Sequence, residues 1–463
     1  MSKFAISGLA LAASLFVSGC AVLEPRDVEV TPGVAVQWPL PSSSEGGAVA
    51  VADIGWRDFF TDPRLEEVIA LALQNNRDLR VAMLNVDKVQ AQYRIQRADR
   101  LPSLAASGQL LRSGGDVPVS EQYSAELGIT GFELDLFGRV RNLSEAALQQ
   151  YFVSAESRRA AQLSLVAGVA RSWLSLAADG ELLRVSESTL EASQSSLQLI
   201  ERRQELGAAS ALELSQAQTL VETARADVAR YRGQVAQSRN ALNLLAGQML
   251  AADLLPDDFV PQVSGLEPLP AGLPADVLLR RPDVMAAEHQ LLAGNANIGA
   301  ARAAFFPSIS LTGAVGSASG ELSGLFESGT RVWSFMPRIT LPIFQGGRLR
   351  ANLGMANADH DIALAEYEKA IQSGFREVAD ALVLEQALAE QRVAQQALLD
   401  AAQRAHDLSQ ARHDAGLDSF LVLLDARRTL YSARQGLVAT QLAEQANRVT
   451  LYKVLGGGWR EHA

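Results

Sequence analysis

Asp414, Asp418 and Asp425 stand four and seven residues apart. Unbroken helical geometry would place their carboxylates on one face, where they would gather cations and raise one another's pKa. Gly416 interrupts that geometry, and aspartates at the start of a helix are also favoured simply by its dipole. His406 and His413, seven apart, make at most one pair on a helix face with no supporting carboxylate motif, so no metal site is expected. Gly313, Gly316 and Gly320 lie in a strand and its following loop, without the helix that a phosphate cradle needs. The chain carries no Walker motif, dinucleotide fingerprint, HExxH or GxSxG elbow. Enzymatic activity is therefore not expected.

Cys20 is the single cysteine, which excludes an intramolecular disulfide. It follows Lys3, an apolar run from Phe4 to Phe16, and Val17-Ser18-Gly19. That order reads as a secretory signal over 1–19 ending in a lipobox-like sequence, with acylation of Cys20 by S-diacylglycerol and N-palmitoyl chains. Such chains exceed the two-signal threshold for stable anchoring. Ala21, in place of Asp, resembles the outer-membrane sorting pattern of bacterial lipoproteins. No cofactor beyond this lipid is expected. Losing residues 1–19, with Lys3, takes the formal charge from −11 to −12, a balance that argues against nucleic acid.

The elements that must position these residues come in duplicate. All sixteen prolines avoid the windows 119–255 and 343–463. Gly138-Arg139-Val140-Arg141 matches Gly347-Arg348-Leu349-Arg350 at an offset of 209, as do Gly207 and Gly416, Ala217 and Ala426, and Gly247 and Gly456. At an offset of 205, Asp78, Arg97 and Pro102 match Asp283, Arg302 and Pro307. Hydrophobic residues make up 48% and aromatics only 6%, a helix-rich composition. The proline-free windows predict helices near 138–205 and 347–414, with an apolar stripe through Leu364, Tyr367, Ile371, Phe375, Val378 and Leu382. Each helix turns back at a glycine, and Ser210-Ala211-Leu212-Glu213 is a capping box that restarts the first.

Between proline and glycine the period drops to two. Tyr123, Ala125, Leu127 and Ile129 alternate with polar neighbours, as do Ile309, Leu311 and Val315, and then Trp333, Phe335, Ile339, Leu341 and Ile343. The expected plan is a tether and equatorial segment over 20–62, then repeat 1 over 63–250 with strands in 104–136 and a hairpin in 138–246. A proline-rich linker follows at 251–277. Repeat 2 covers 278–456, with strands in 308–343 and a hairpin in 347–455, and a tail ends the chain at 457–463. Beyond the signal no apolar run reaches 18 residues, so a membrane can be crossed only by strands. Four strands cannot close a barrel; two copies would supply eight, three twelve and four sixteen, and an open duct favours twelve or more.

Gly131-Phe132-Glu133-Leu134-Asp135-Leu136-Phe137-Gly138-Arg139, Arg281-Pro282-Asp283-Val284 and Ala301 through Ile309 resemble signatures of the TolC-like outer-membrane efflux factors. With Cys20, the chain is similar to their OprM and NodT-type lipoproteins, over roughly 56–456. The resemblance implies a homotrimer, mostly α with transmembrane β: a twelve-stranded barrel continuous with a twelve-helix periplasmic tunnel, set in outer-membrane lipid. It implies docking to a periplasmic membrane-fusion adaptor and an RND-type inner-membrane pump, and passive conduction of small molecules such as drugs. It also implies a periplasmic gate at Asp425, with Asp418 and Asp414 beside it. The turns Leu206, Gly207, Ala208, Ala209, Ser210 and Ala415, Gly416, Leu417, Asp418, Ser419 become adaptor-docking tips. An adaptor-like or structural lipoprotein would instead show lipoyl-like β modules flanking one hairpin. A type I protein-secretion duct would share the fold.

Overall fold

The computed structural model describes residues 33–35, 54–116, 118–259 and 275–457; Cys20 and the segment 1–19 lie outside them. Where proline is absent, the chain forms long helices. After the short α1, Trp56–Phe59, come α2, Pro63–Asn75, and α3, Arg77–Ala98. Strands β1, Leu104–Ser113, and β2, Ser120–Leu134, precede α4, Arg139–Glu205, and α5, Ala211–Ala246. The second half repeats the order: α6, Pro282–Ala303; β3, Ser308–Ser319; β4, Arg331–Thr340; α7, Arg348–Asp414; α8, Phe420–Val454. Helices α4 and α7 each hold 67 residues, about 100 Å at ~1.5 Å per residue. Tyr367, Ile371, Val378 and Leu382 of the predicted stripe are buried. The chain divides into two compact units, one of 84–156 and 285–370, the other of 33–83, 157–284 and 371–463.

The first unit holds one antiparallel sheet in the order β1-β2-β3-β4. Residues directly opposite one another share a face, so the register sorts the side chains. Leu104 faces Ile129, Ala106 faces Leu127, Leu127 faces Val315, and Val315 faces Trp333. These, with Leu110, Ile309, Phe335 and Ile339, make one apolar face. The other face carries Ser107, Gln109, Ser124, Glu126, Ser310, Thr312, Ser334 and Arg338. A bulge between Ile129 and Phe132 inserts one residue into β2. Gly131 takes it at φ +66° and donates its N–H to Thr312 Oγ1 at 3.1 Å. The insertion shifts the phase by one, so that Phe132 and Leu134, rather than Glu133, continue the apolar face. Pro337 sits in β4, an edge strand, where its missing donor is tolerated.

Glycine is required where strands β2 and β3 pack closest. A Cβ on Gly316 would lie 2.7 Å from Glu126 Cα, and one on Gly128 would lie 2.9 Å from Ala314 Cβ. Gly316→Val is expected to cost about 1–3 kcal/mol by overpacking and to deplete the folded, heat-modifiable species on a denaturing gel. A variant that assembles like wild type would contradict the close approach.

Strands end earlier than the alternation suggests. β2 stops at Leu134 because Asp135 turns to accept the N–H of Val140 at 3.1 Å and of Arg141 at 2.7 Å, capping α4. Glu133 pairs with Arg139 beside it. β4 stops at Thr340, short of Leu341 and Ile343, where Pro342 lacks the ladder donor.

In the second unit, Trp173, Leu174, Trp56 and Tyr452 are almost fully buried. Phe59 stacks on Tyr452 at 3.9 Å, and the Tyr452 hydroxyl donates to the Ile54 carbonyl at 2.7 Å. Two contacts show the duplication surviving in three dimensions. Asn76 Nδ2 donates to the Leu245 carbonyl at 3.0 Å, near the end of α5. At the equivalent place, Arg281 Nη1 donates to the Val454 carbonyl at 2.9 Å, ending α8. Gly247 follows α5 at φ +71° and Gly456 follows α8 at φ +84°.

Candidate functional site at the helix turns

Both long helices end in the same left-handed turn, because both have glycine where φ must be positive. Gly207 and Gly416 each take φ +71°. Ala208 N–H reaches back to the Arg203 carbonyl, and Leu417 N–H to the Arg412 carbonyl, satisfying the last helical acceptors. Leu206 and Leu417 project into solvent, 83% and 68% exposed, among small neighbours that include Ala208, Ser210, Ala415 and Ser419. Below the turns, Ile200, Ala217, Phe420, Leu423 and Leu424 form a buried cluster, with Ala209 packed against it.

The two turns differ in what restarts the helix. Ser210 and Glu213 form a reciprocal capping box: Ser210 Oγ accepts from Glu213 N at 3.1 Å, and Glu213 Oε2 accepts from Ser210 N at 2.7 Å. The equivalent residues of the second turn are Ser419 and Val422. Val422 offers no acceptor, and Ser419, the N-cap, makes no side-chain cap bond. An ion pair stands in its place. Arg412 donates from Nε at 2.6 Å and Nη2 at 2.9 Å to both oxygens of Asp418. The Arg412 hydrogen bond holds the Asp418 carboxyl below its ordinary value.

The three aspartates therefore do not share a helical face. Asp414 is the last residue of α7 and accepts from Gln410 Nε2 at 2.9 Å. Asp418 belongs to the turn, outside any helix and not at the N-cap. Asp425 lies in the second turn of α8, exposed beside the buried Leu423 and Leu424. His413 Nδ1 lies 3.2 Å from the Asp418 carbonyl, and His406 Nδ1 lies 3.1 Å from Asp407. The two imidazoles thus have separate partners. No group of three His, Cys, Asp or Glu suited to a metal ion occurs among the described residues.

Side chains that sequence reasoning missed tie the two hairpins together. From α8, Arg427 Nη1 donates to Ser196 Oγ of α4 at 2.6 Å. Tyr431 donates to Asp227 Oδ2 of α5 at 2.9 Å and lies 2.8 Å from Ser186 Oγ of α4. Gln435 Nε2 donates to Tyr231 Oη of α5 at 3.1 Å. Burial pushes the Tyr431 hydroxyl up to about 12, so it stays a donor across the physiological range. The signal was present: Arg427, Tyr431 and Gln435 recur every four residues, one polar stripe on α8.

No helix among the described residues is long and apolar enough to cross a membrane. A family model described as outer membrane efflux protein matches residues 68–248 and 273–457. The chain is 46% identical to the toluene efflux pump outer membrane protein TtgC of Pseudomonas putida, over 98% of this chain and 96% of that protein. It is 43% identical to the outer membrane protein OprJ of Pseudomonas aeruginosa, over 100% and 98%. Among solved structures, the open state of the MtrE outer membrane channel of Neisseria gonorrhoeae superposes with a TM-score of 0.87 at 40% identity, covering 94% of this chain and 98% of that one. The CmeC outer membrane channel of Campylobacter jejuni gives 0.82 at 26% identity, over 95% and 94%.

Proposed function

This chain belongs to the outer membrane efflux protein family and is an outer-membrane channel component of an efflux pump; on that premise we propose that three copies close around a common axis into a passive duct. The observation that carries the reading is the sheet. Among the described residues, its four strands leave both edges, β1 and β4, without strand partners, and each unpaired backbone group in hydrocarbon costs several kcal/mol. Eight strands from two copies would leave a lumen filled by side chains, whereas twelve from three copies leave room for solute. The apolar face would meet lipid and the polar face, with Glu126 and Arg338, would line the passage. The duct performs no chemistry of its own. An adaptor would instead carry lipoyl-like β modules flanking one hairpin; the described residues hold one sheet and two hairpins.

The turns would receive the hairpin of a periplasmic adaptor, since their small residues allow close approach, and an RND-type pump would deliver the cargo. TtgC is named for toluene; for this chain the cargo is small molecules chosen by the pump. Reconstituted in a planar bilayer, the purified protein should run as a heat-labile trimer and conduct ions. A monomer without conductance would overturn the reading.

Asp425 is our choice for the gate carboxylate, flanked by Asp414 and Asp418. Three such groups at ~8 Å would repel by about 2 kcal/mol per pair at an effective ε near 20, so they need the wall helices to hold them. Asp425→Ala is expected to raise conductance and weaken cation selectivity; unchanged single-channel records would remove it from the gate. Acylation of Cys20 would anchor each copy. In the Cys20→Ser variant, labelled palmitate should vanish from the protein, and its persistence would refute the anchor.

A further inference from the structure

Between the two hairpins of the second unit lies a cavity of about 430 Å³, walled by α4, α5, α7 and α8. Arg427, Arg428, Arg434 and His406 face it alongside serine, threonine, glutamine and Tyr431, and no carboxylate lines it. Arg427 is half-buried, yet it donates to two neutral acceptors: Ser196 Oγ at 2.6 Å and Gln410 Oε1 at 2.7 Å. Arg434 donates to Gln403 Oε1 at 3.0 Å, again neutral. Arg428 donates to no acceptor among the described residues.

The acids nearby are already engaged. Asp227 accepts from Arg230 and Tyr431, Asp407 from His406 and Gln403, and Asp414 from Gln410. Elsewhere in the unit, three buried or partly buried arginines have carboxylates. Arg281 has Asp283 and Glu377, Arg64 has Asp62 and Asp257, and Arg448 has Glu444. Burial also lowers the pKa of Arg427, in contrast to Arg281, whose value its carboxylates raise. Asp414 acts on Arg427 and Asp407 on Arg434 through space, but neither acid hydrogen-bonds a cavity arginine. Partly buried guanidinium groups without a directly bonded anion are a costly arrangement, and the cavity has the size of a small-ligand pocket.

We propose that this cavity binds a small oxyanion, either phosphate or the carboxylates of a small organic acid, between the guanidinium forks of Arg427, Arg428 and Arg434. Guanidinium groups suit such planar, bidentate acceptors. Because the walls come from both hairpins, the bound anion would hold them together. The binding claim stands on the cavity and not on the channel reading.

Titration calorimetry on the purified full-length protein in detergent, with sodium phosphate and sodium citrate in turn at ionic strength matched with sodium chloride, tests this. Saturable heat with phosphate, with citrate or with both is expected; phosphate alone identifies an inorganic ligand and citrate alone an organic acid. Arg428→Gln, an exposed position without a hydrogen bond to lose, should weaken binding about tenfold, the value of one charge-assisted contact. Arg225→Gln, where the arginine pairs with Glu222, should leave it unchanged. No saturable heat with either anion overturns the proposal, as does an Arg428→Gln variant that binds like wild type.

Discussion

Replacing Arg281 with alanine is expected to cost about 3 kcal/mol, the lower end of what breaking a buried ion pair costs, and to lower the heat-dissociation temperature of the assembled protein by several degrees. The side chain is 8% exposed and serves three acceptors at once. Its guanidinium donates to Asp283 at 2.8 and 3.0 Å, to Glu377 at 2.7 Å and to the Val454 carbonyl at 2.9 Å. Truncation strands two carboxylates and the final acceptor of α8 together. The figure sits at the low end because both acids reach solvent. Arg281→Lys keeps the charge but not the fork, and should recover only part of the loss. A midpoint equal to wild type in the alanine variant would refute the clamp. The same group of charges sets a pH response. Burial pushes the Asp283 carboxyl up, but the hydrogen bond and charge of Arg281 outweigh it, leaving a value below the ordinary 3.8. A depressed carboxylate contributes its full stability above the unfolded value. That contribution fades as the pH falls below about 3.8 toward the folded value.

Tyr431→Phe should open the channel. The substitution keeps the ring and removes the hydroxyl that joins α8 to Asp227 and Ser186. One such bond contributes ~1 kcal/mol net. Lost in three copies it is ~3 kcal/mol, about a hundredfold in the ratio of closed to open channels. Single-channel recording would show a larger open fraction at the same unit conductance. An unchanged open fraction would mean that the hairpins are held elsewhere.

Much of this architecture is legible from residue order because its devices are local. Absent prolines fixed the extent of α4 and α7, paired glycines fixed their turns, and period-two alternation placed the strands. What escaped depends on contacts distant in the chain. The bulge at Gly131 keeps Phe132 and Leu134 in phase with β3, and nothing in β2 alone reveals that partner. The strand ends at Leu134 and Thr340 follow from Asp135 and Pro342, which were readable but outvoted by the apolar residues beyond them. The inter-hairpin links join residues more than 200 positions apart, and only the four-residue spacing of Arg427, Tyr431 and Gln435 hints at them. Asp418 stands seven residues before Asp425, and that spacing does not reveal its partner. Its commitment to Arg412 depends on the shape of the turn, which composition does not show.

The unsealed margins of the sheet bear on how the protein reaches its place. A newly secreted copy carries two rows of free amide and carbonyl groups beside an oily surface, a combination that invites mispairing with any passing chain. It gains nothing by entering lipid ahead of its siblings. Insertion into lipid is therefore expected to be coupled to association of the copies.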